Sequence, residues 1–146
     1  MTDPATDYDL TRRETFRHWN PVTIRYCDQD SMAHVNNCAF AEYIEAARCA
    51  FIYDLIERGG MEGMEFILAR LAIDYRRELF YPGKVEVGVR LTRVGNKSII
   101  TGYGVFKDGD CYATAECTNV FYDLATRKTT TPTDSIRAVL KTELEA

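Results

Sequence analysis

The sequence predicts an α+β domain in which one long central helix is wrapped by a curled antiparallel sheet of five to six strands. Three observations support this prediction: a β-branched segment over about 20–27, an apolar helical pattern that begins near Cys38, and four later segments whose apolar residues recur every second position. Since little else can cover the apolar face of such a sheet, we expect the helix to be largely buried.

The chain begins with a polar segment of mixed charge, residues 1–19, which we predict to be an N-terminal arm. Residues 20–146 then form a single predicted domain, a size that one hydrophobic core can support. His18, next to Trp19, is expected to pack the arm against the domain.

The helical pattern has signals at both ends. Asn36 or Asn37 can cap its start, and Gly59-Gly60 can supply a left-handed residue at its end. Its apolar residues recur every three to four positions and predict one buried face: Phe40, Ile44, Ala47, Phe51 and Leu55.

The period-two pattern predicts strands over about 67–75, 85–92, 98–107 and 112–122. Asp108-Gly109 is a strong two-residue hairpin signal between the last two, and an amphipathic segment over 134–144 predicts a short surface helix. An open sheet leaves unpaired edges, so we expect a homodimer or homotetramer.

Charge and composition exclude several classes of protein. The net charge of -4 argues against nucleic acid as the main partner, and no apolar run is long enough for a membrane span. The segment from Arg70 to Lys97 contains seven basic residues and three acidic ones. This local excess of positive charge could bind a phosphorylated ligand. The five cysteines include no C-x-x-C and follow an acidic N-terminus, so we expect reduced thiols, a cytoplasmic protein, and neither a zinc site nor another cofactor.

Reactive side chains concentrate between strand one and the helix. Two carboxylates, an imidazole and the carboxamides of two asparagines stand within ten residues: Asp28, Asp30, His34, Asn36 and Asn37. This pattern places an acid/base group beside the positive end of a helix, where developing negative charge is stabilised.

Three runs stand close together here: Asp28-x-Asp30, His34-Val35-Asn36-Asn37 and Tyr43-x-Glu45-x-x-Arg48. Together they resemble the hotdog-fold acyl-CoA thioesterases of the 4-hydroxybenzoyl-CoA thioesterase type, and the order of elements matches over about residues 20–125. The resemblance implies that Asp30 is the catalytic carboxylate and that amides near Asn37 hold the oxyanion. Asp30 would act as nucleophile or as general base, which the sequence does not separate. A serine nucleophile elbow is excluded because no G-x-S-x-G is present.

Two departures from the family pattern matter. Many relatives have Gly where this chain has Ala33, a change that is harmless unless that residue needs positive φ. Many have Tyr where this chain has Phe40, which removes a hydroxyl from the predicted acyl pocket.

Each residue in the loop also has a structural interpretation. Asp30 could merely accept hydrogen bonds from nearby amides, and Asp28 is expected to orient the loop. His34 could act as a base or brace the loop, and Asn36 could cap the helix or contact substrate. Arg48 could simply pair with Glu45, three residues earlier.

The predicted ligand contacts fall into two groups. Phe40 and Tyr43 are expected to line the acyl pocket. In relatives, coenzyme A lies along the strand that follows the Gly95 turn, so the resemblance implies that it contacts Arg93, Lys97 and Ser98, with Arg70 and Arg76 as weaker candidates.

Three functions follow. The leading hypothesis is an acyl-CoA thioesterase with its site at a subunit interface. A hotdog acyl-thioester hydratase/dehydratase and a non-catalytic acyl-CoA-binding module are the alternatives.

Overall fold

The computed structural model describes residues 8–60 and 63–146 of the 146-residue chain. Its strands and helices follow in the order β1 (His18–Thr23), α1 (Asn37–Arg58), β2 (Met64–Tyr75), β3 (Lys84–Val94), β4 (Ser98–Lys107), β5 (Asp110–Asp123), β6 (Lys128–Thr129) and α2 (Asp134–Glu145).

The strands form one antiparallel sheet in the order β1-β3-β4-β5-β2, with the short β6 paired to β5. The curled sheet of five to six strands and the long helix of a hotdog fold are therefore confirmed. At the β4–β5 turn, Asp108 and Gly109 have φ values of 52° and 87°, the two left-handed residues that a type I′ hairpin requires.

The apolar face of α1 lies in the core as its spacing predicted. All five predicted positions are buried, and the helix packs most closely against β1 and β3. The inner face of the sheet supplies the other side of this core through alternate residues such as Val85, Val87 and Val89.

Both predicted helix signals are confirmed. The Asn36 side chain accepts a 2.9 Å hydrogen bond from the Ala39 amide, and Gly60 has a φ of 65° just beyond the helix. A side chain on Gly59 would collide with Ile136, because α2 crosses α1 at this point.

The N-terminal region differs from the prediction in one respect. β1 begins at His18 and ends at Thr23, because Tyr26–Asp28 forms a 3-10 turn that leads into the loop. Before β1, Leu10 and Phe16 pack on the outer face of the sheet, where a side chain on Gly88 or Gly102 would collide with them. The boundary between arm and domain near residue 20 stays a prediction.

No helix in residues 8–60 or 63–146 is long and apolar enough to cross a membrane.

Candidate active site at the start of the central helix

Backbone hydrogen bonds hold the loop between β1 and α1 in one shape. The Asn36 amide donates to the Asp28 carbonyl, the Asp30 amide donates to the His34 carbonyl, and the Val35 amide donates to the Leu79 carbonyl, all at 2.8–2.9 Å. The two sides of the loop therefore run antiparallel. Asp30 lies opposite His34, which stands three residues before the start of α1.

Asp28 is the structural centre of the loop. It is buried, and its carboxylate accepts hydrogen bonds from the Tyr43 hydroxyl at 2.6 Å and from the Arg25 amide at 2.8 Å. The Arg25 guanidinium completes the arrangement. Burial alone would raise the pKa of Asp28, but these hydrogen bonds outweigh it and hold the pKa below its ordinary value. Asp28 thus orients the loop as an anion whose oxygens are already engaged.

Asp30 is exposed and has a free side. Its Oδ1 accepts a 2.8 Å hydrogen bond from the Met32 amide and lies 3.4 Å from the His34 amide. Within residues 8–60 and 63–146, Oδ2 has no hydrogen-bond partner. One oxygen therefore shapes the turn, as the structural interpretation expected, while the other is available to a reacting group.

Within the described residues, the His34 ring makes no hydrogen bond with Asp30. Its Nε2 lies 3.4 Å from the Glu78 carboxylate, and its ring packs edge-on against Phe80. The imidazole is one-quarter exposed and lines the pocket next to the loop.

The first turn of α1 presents two unpaired amides. Asn36 caps the Ala39 amide, whereas the amides of Asn37 and Cys38 occupy positions that have no intrahelical acceptor and find none in the described part of the chain. These are the donors that the positive end of the helix offers to an anion. Asn37 is further fixed by the Tyr75 hydroxyl, which donates to its carbonyl at 3.1 Å.

Ala33 occupies the one position where the change from Gly has a consequence. Its φ is 63°, in the left-handed region that favours glycine. Ala33 does therefore need positive φ, the case in which the change from Gly is not harmless. The loop holds a strained alanine between Asp30 and His34.

Two pockets follow one another along the groove between α1 and β2. The first, about 280 Å³, lies beside the loop and is lined by His34, Asn37 and Phe40 together with Tyr75 of β2. The second, about 270 Å³, lies farther along the helix between Ile44 and Arg48 on one side and Leu71 on the other. Together the two pockets form a groove that begins beside the loop.

A third pocket of about 280 Å³ lies on the opposite side of α1. It is lined by Ala50 and Asp54 of the helix and by His18 and Trp19 of β1. It borders the middle of the helix and none of the loop residues.

The predicted acyl contacts separate into one that lines a pocket and one that does not. Phe40 lines the first pocket and packs edge-on against Tyr75. Tyr43 is buried, its hydroxyl is bound to Asp28, and it lines neither groove pocket. Burial and the bond to Asp28 raise the pKa of the Tyr43 hydroxyl, which is therefore a neutral donor.

The predicted coenzyme A contacts lie at the other end of the sheet within one chain. Arg93, Lys97 and Ser98 surround the turn between β3 and β4, whereas the loop follows the end of β1, which pairs with the start of β3. A ten-residue strand spans about 30 Å, so these residues and Asp30 of the same chain are far apart. The basic residues that line the first pocket are instead Arg76 and Arg77.

Sequence reasoning missed the orientation of Arg48. The predicted pair with Glu45 is loose, at 3.9 Å, and the two side chains differ sharply: Glu45 is 66% exposed and Arg48 only 8%. Arg48 turns inward over the sheet and lines the second pocket. The spacing of three residues to Glu45 concealed this, and the signal that could have revealed it is the position of Arg48 next to Ala47 and Ile44 on the apolar face.

In residues 8–60 and 63–146, no three His, Cys, Asp or Glu side chains lie close enough together to hold a metal ion.

Comparison with solved structures identifies the same architecture in several bacteria. A thioesterase of Thermus thermophilus, solved in complex with coenzyme A and zinc, is 27% identical, with a TM-score of 0.76 over 90% of this chain and 97% of that one. The PA5185 protein of Pseudomonas aeruginosa is 26% identical, with a TM-score of 0.77 over 90% and 94% of the two chains. A predicted thioesterase of Bacillus stearothermophilus, 23% identical with a TM-score of 0.76 over 86% and 95%, shares the fold.

A search of curated proteins found no significant match. The model of the thioesterase-like superfamily matches residues 22–140, which is most of the chain and includes the loop, the central helix and the whole sheet after it. On this evidence the chain belongs to the thioesterase-like superfamily.

Proposed function

We propose that this protein hydrolyses an acyl-CoA thioester to the free acid and coenzyme A, with Asp30 as nucleophile or general base. Membership of the thioesterase-like superfamily supports a thioester hydrolase in general. The observation that carries the specific proposal is the open Oδ2 of Asp30, in the loop that leads directly into the unpaired amides of Asn37 and Cys38 at the start of α1.

Asp30 can act in either of two ways. As general base, it takes a proton from water while the water oxygen bonds to the thioester carbonyl carbon; the carbon–sulfur bond then breaks and coenzyme A leaves as the thiolate. As nucleophile, Oδ2 bonds to the carbonyl carbon, coenzyme A leaves, and water cleaves the resulting anhydride.

The two free amides would hold the carbonyl oxygen as it becomes negative. One such donor is worth on the order of 3 kcal/mol in hydrolases that have been tested. Asn36 contributes by keeping the Ala39 amide occupied and the helix start in place, and His34 with Glu78 borders the pocket in which the carbonyl would lie.

A homodimer would complete the coenzyme A site. β2 is an edge strand of 12 residues that exposes Ile67 and Leu68, the kind of edge that pairs with a second copy. Antiparallel pairing of two β2 strands reverses the second copy. The turn at 95–98 of one subunit then lies toward the loop end of the other, which would bring Arg93, Lys97 and Ser98 toward a site from which they are distant in their own chain.

The test is thiol release from a panel of short, long, branched and aromatic acyl-CoAs by the wild type and Asp30→Asn. Asn keeps the Oδ1 that accepts from the Met32 amide, so the turn survives, but it is a poor base and nucleophile. We expect kcat to fall by a factor of roughly 10² to 10⁴. Asp108→Asn is the matched control, the same change at an exposed hairpin position, and should leave turnover unaltered.

Each alternative function gives a different result. A binding module would bind acyl-CoA without releasing thiol in either protein, and a hydratase or dehydratase would change the absorbance of an enoyl substrate without thiol release. Turnover in Asp30→Asn near the wild-type rate would exclude Asp30 as the catalytic group.

A further inference from the structure

Arg48 is a buried cation with few partners of its own. The residue is 7% exposed, and its nearest oxygens in the described residues are Asn119 Oδ1 at 3.4 Å and Glu45 Oε2 at 3.9 Å. Its guanidinium also lies 5.3 Å from the centre of the Phe66 ring. A guanidinium has five N–H donors, and these long contacts engage few of them. No Arg48 nitrogen in the described residues is both fully buried and without a partner, so the unused donors remain accessible from the pocket.

The residues beneath Arg48 fix its position without neutralising it. The Asn119 amide nitrogen donates to Thr101 Oγ1 at 3.1 Å, and the Thr101 and Tyr103 hydroxyls are 2.7 Å apart. Because the nitrogen of Asn119 is committed to Thr101, its Oδ1 faces Arg48. The three side chains thus form a buried polar chain that ends at the guanidinium.

Among the described residues that line the second groove pocket, the acidic ones are Glu42 and Glu45, and neither makes a close contact with Arg48. Cys117 lines the same pocket, and burial raises its pKa to about 11, so it is a neutral thiol. Burial likewise raises the pKa of Tyr103. Glu42 and Glu45 stand at the rim, both exposed to solvent, and Glu42 is engaged by Arg25. A buried charge without a close counter-ion is costly, so this pocket favours an anion.

The geometry points to Arg48 as a specificity residue that binds the far end of an acyl chain ending in a carboxylate. This inference rests on the proposed function for the thioester end of the substrate. The chain would run from the first turn of α1, past Phe40, to the guanidinium, and the carboxylate would accept the paired N–H donors that the fold leaves unused.

The distance along the helix limits the length of the chain. Arg48 follows Asn37 by eleven residues, which corresponds to about 16 Å along the axis. Its guanidinium lies near Glu45, three residues earlier on the helix, and also near Phe66 and Asn119 of the sheet, so it lies on the order of 12 to 16 Å from the start of the helix. We therefore expect a chain of medium length to fit best.

The test compares CoA thioesters in pairs of equal chain length, from about four to about ten carbons, one ending in a carboxylate and the other in a methyl group. The wild type should prefer the carboxylate member of the best pair by at least about tenfold in kcat/KM, the effect of a charge-assisted hydrogen bond. In Arg48→Met this ratio should fall to about one, and in Arg48→Lys to an intermediate value. Arg58→Met, the same change later on the helix, should keep the wild-type ratio.

A second measurement needs no turnover. Calorimetric titration with octanedioate and octanoate should show binding of the first that depends on Arg48. If the wild type hydrolyses both series with a ratio near one, the specificity inference is wrong and the proposed function stands. If no ester is hydrolysed but octanedioate binds through Arg48, the ligand class is right and the hydrolase proposal is wrong.

Two further outcomes overturn the inference. Absence of both turnover and octanedioate binding excludes it together with the proposed function. An unchanged ratio in Arg48→Met, accompanied by dissociation of an oligomer in light scattering, would show that Arg48 meets a second copy of the chain. Should Arg48→Met not fold, the wild-type ratio and Arg48→Lys still decide the question.

Discussion

The central helix packs differently against the two halves of the sheet. On the β1–β3–β4 side, α1 packs directly on the strands, and Leu10 and Phe16 cover the outer face. On the β5–β2 side the helix stands away from the strands, leaving a groove with two pockets and a buried Arg48. Apart from the third pocket between α1 and β1, the first half is built from complementary apolar surfaces, whereas the second leaves space next to polar groups.

This difference separates the part of the molecule that supplies stability from the part that is free to bind. Close packing and burial of apolar area stabilise the first half, whereas an unfilled groove contributes little. The groove begins beside the loop that carries Asp30, which is where the proposed function needs space for an acyl chain.

The largest expected effect is on the free energy of unfolding, when a leucine in each half of the sheet is replaced by alanine. Leu91 on β3 is 1% exposed in the packed half, and Leu71 on β2 borders the groove. Leu91→Ala should lower the free energy of unfolding by about 3 kcal/mol, because it leaves a closed cavity, and Leu71→Ala by about 1 kcal/mol. Urea denaturation of both variants measures this, and equal losses would contradict the distinction between the halves.

The two acids of the loop differ in the same way as the two halves of the sheet: Asp28 is buried and hydrogen-bonded, whereas Asp30 is exposed. Asp28→Asn should reduce stability at pH 7 by about 2 kcal/mol, because charge-assisted hydrogen bonds from Arg25 and Tyr43 are lost. The folded-state pKa of Asp28 is lowered, so its contribution is complete above the unfolded-state value of about 3.9 and is lost as the pH falls through the folded-state value.

The difference in stability between the wild type and Asp28→Asn should therefore shrink from about pH 5 toward about pH 2. Denaturation curves across this range test the sign. A difference that grew on acidification would mean that the folded-state pKa of Asp28 lies above its unfolded-state value.

The smallest expected effect concerns Ala33, in the open half of the loop. Relief of its positive φ should make Ala33→Gly more stable by about 1 kcal/mol, partly offset by the greater freedom of glycine in the unfolded chain. Thermal unfolding measures the shift. Ala39→Gly, within the helix where φ is ordinary, is the control and should be destabilised by a similar amount.

The packed half could be predicted from the sequence because its signals are local. The three-to-four spacing from Phe40 to Leu55 and the alternation of Val85, Val87 and Val89 each report a face that must be buried. The Asp108-Gly109 turn could be predicted for the same reason, since its two positive φ angles favour these residue types.

The open half could not be predicted in the same way, because its geometry arises from contacts between distant segments. The position of Arg48 over Asn119 joins residues 71 apart in sequence, and that of Tyr75 against Asn37 joins residues 38 apart. The loop motif predicts that Asp30 lies near the start of the helix, but only the fold shows that Arg93, Lys97 and Ser98 lie at the opposite end of their own chain.

The most direct test of the account places the same bulky side chain in each groove beside α1. Ala41 lines the groove next to β2, and Ala50 lines the pocket next to β1. The measurement is the chain-length profile of kcat/KM for acyl-CoAs in Ala41→Trp, Ala50→Trp and the wild type. If the acyl chain lies between α1 and β2, Ala41→Trp should lose activity on medium and long chains by at least about tenfold while the shortest are still hydrolysed, and Ala50→Trp should keep the wild-type profile. An unchanged profile in Ala41→Trp, or a shortened one in Ala50→Trp alone, would contradict the assignment of the acyl chain to the groove between α1 and β2.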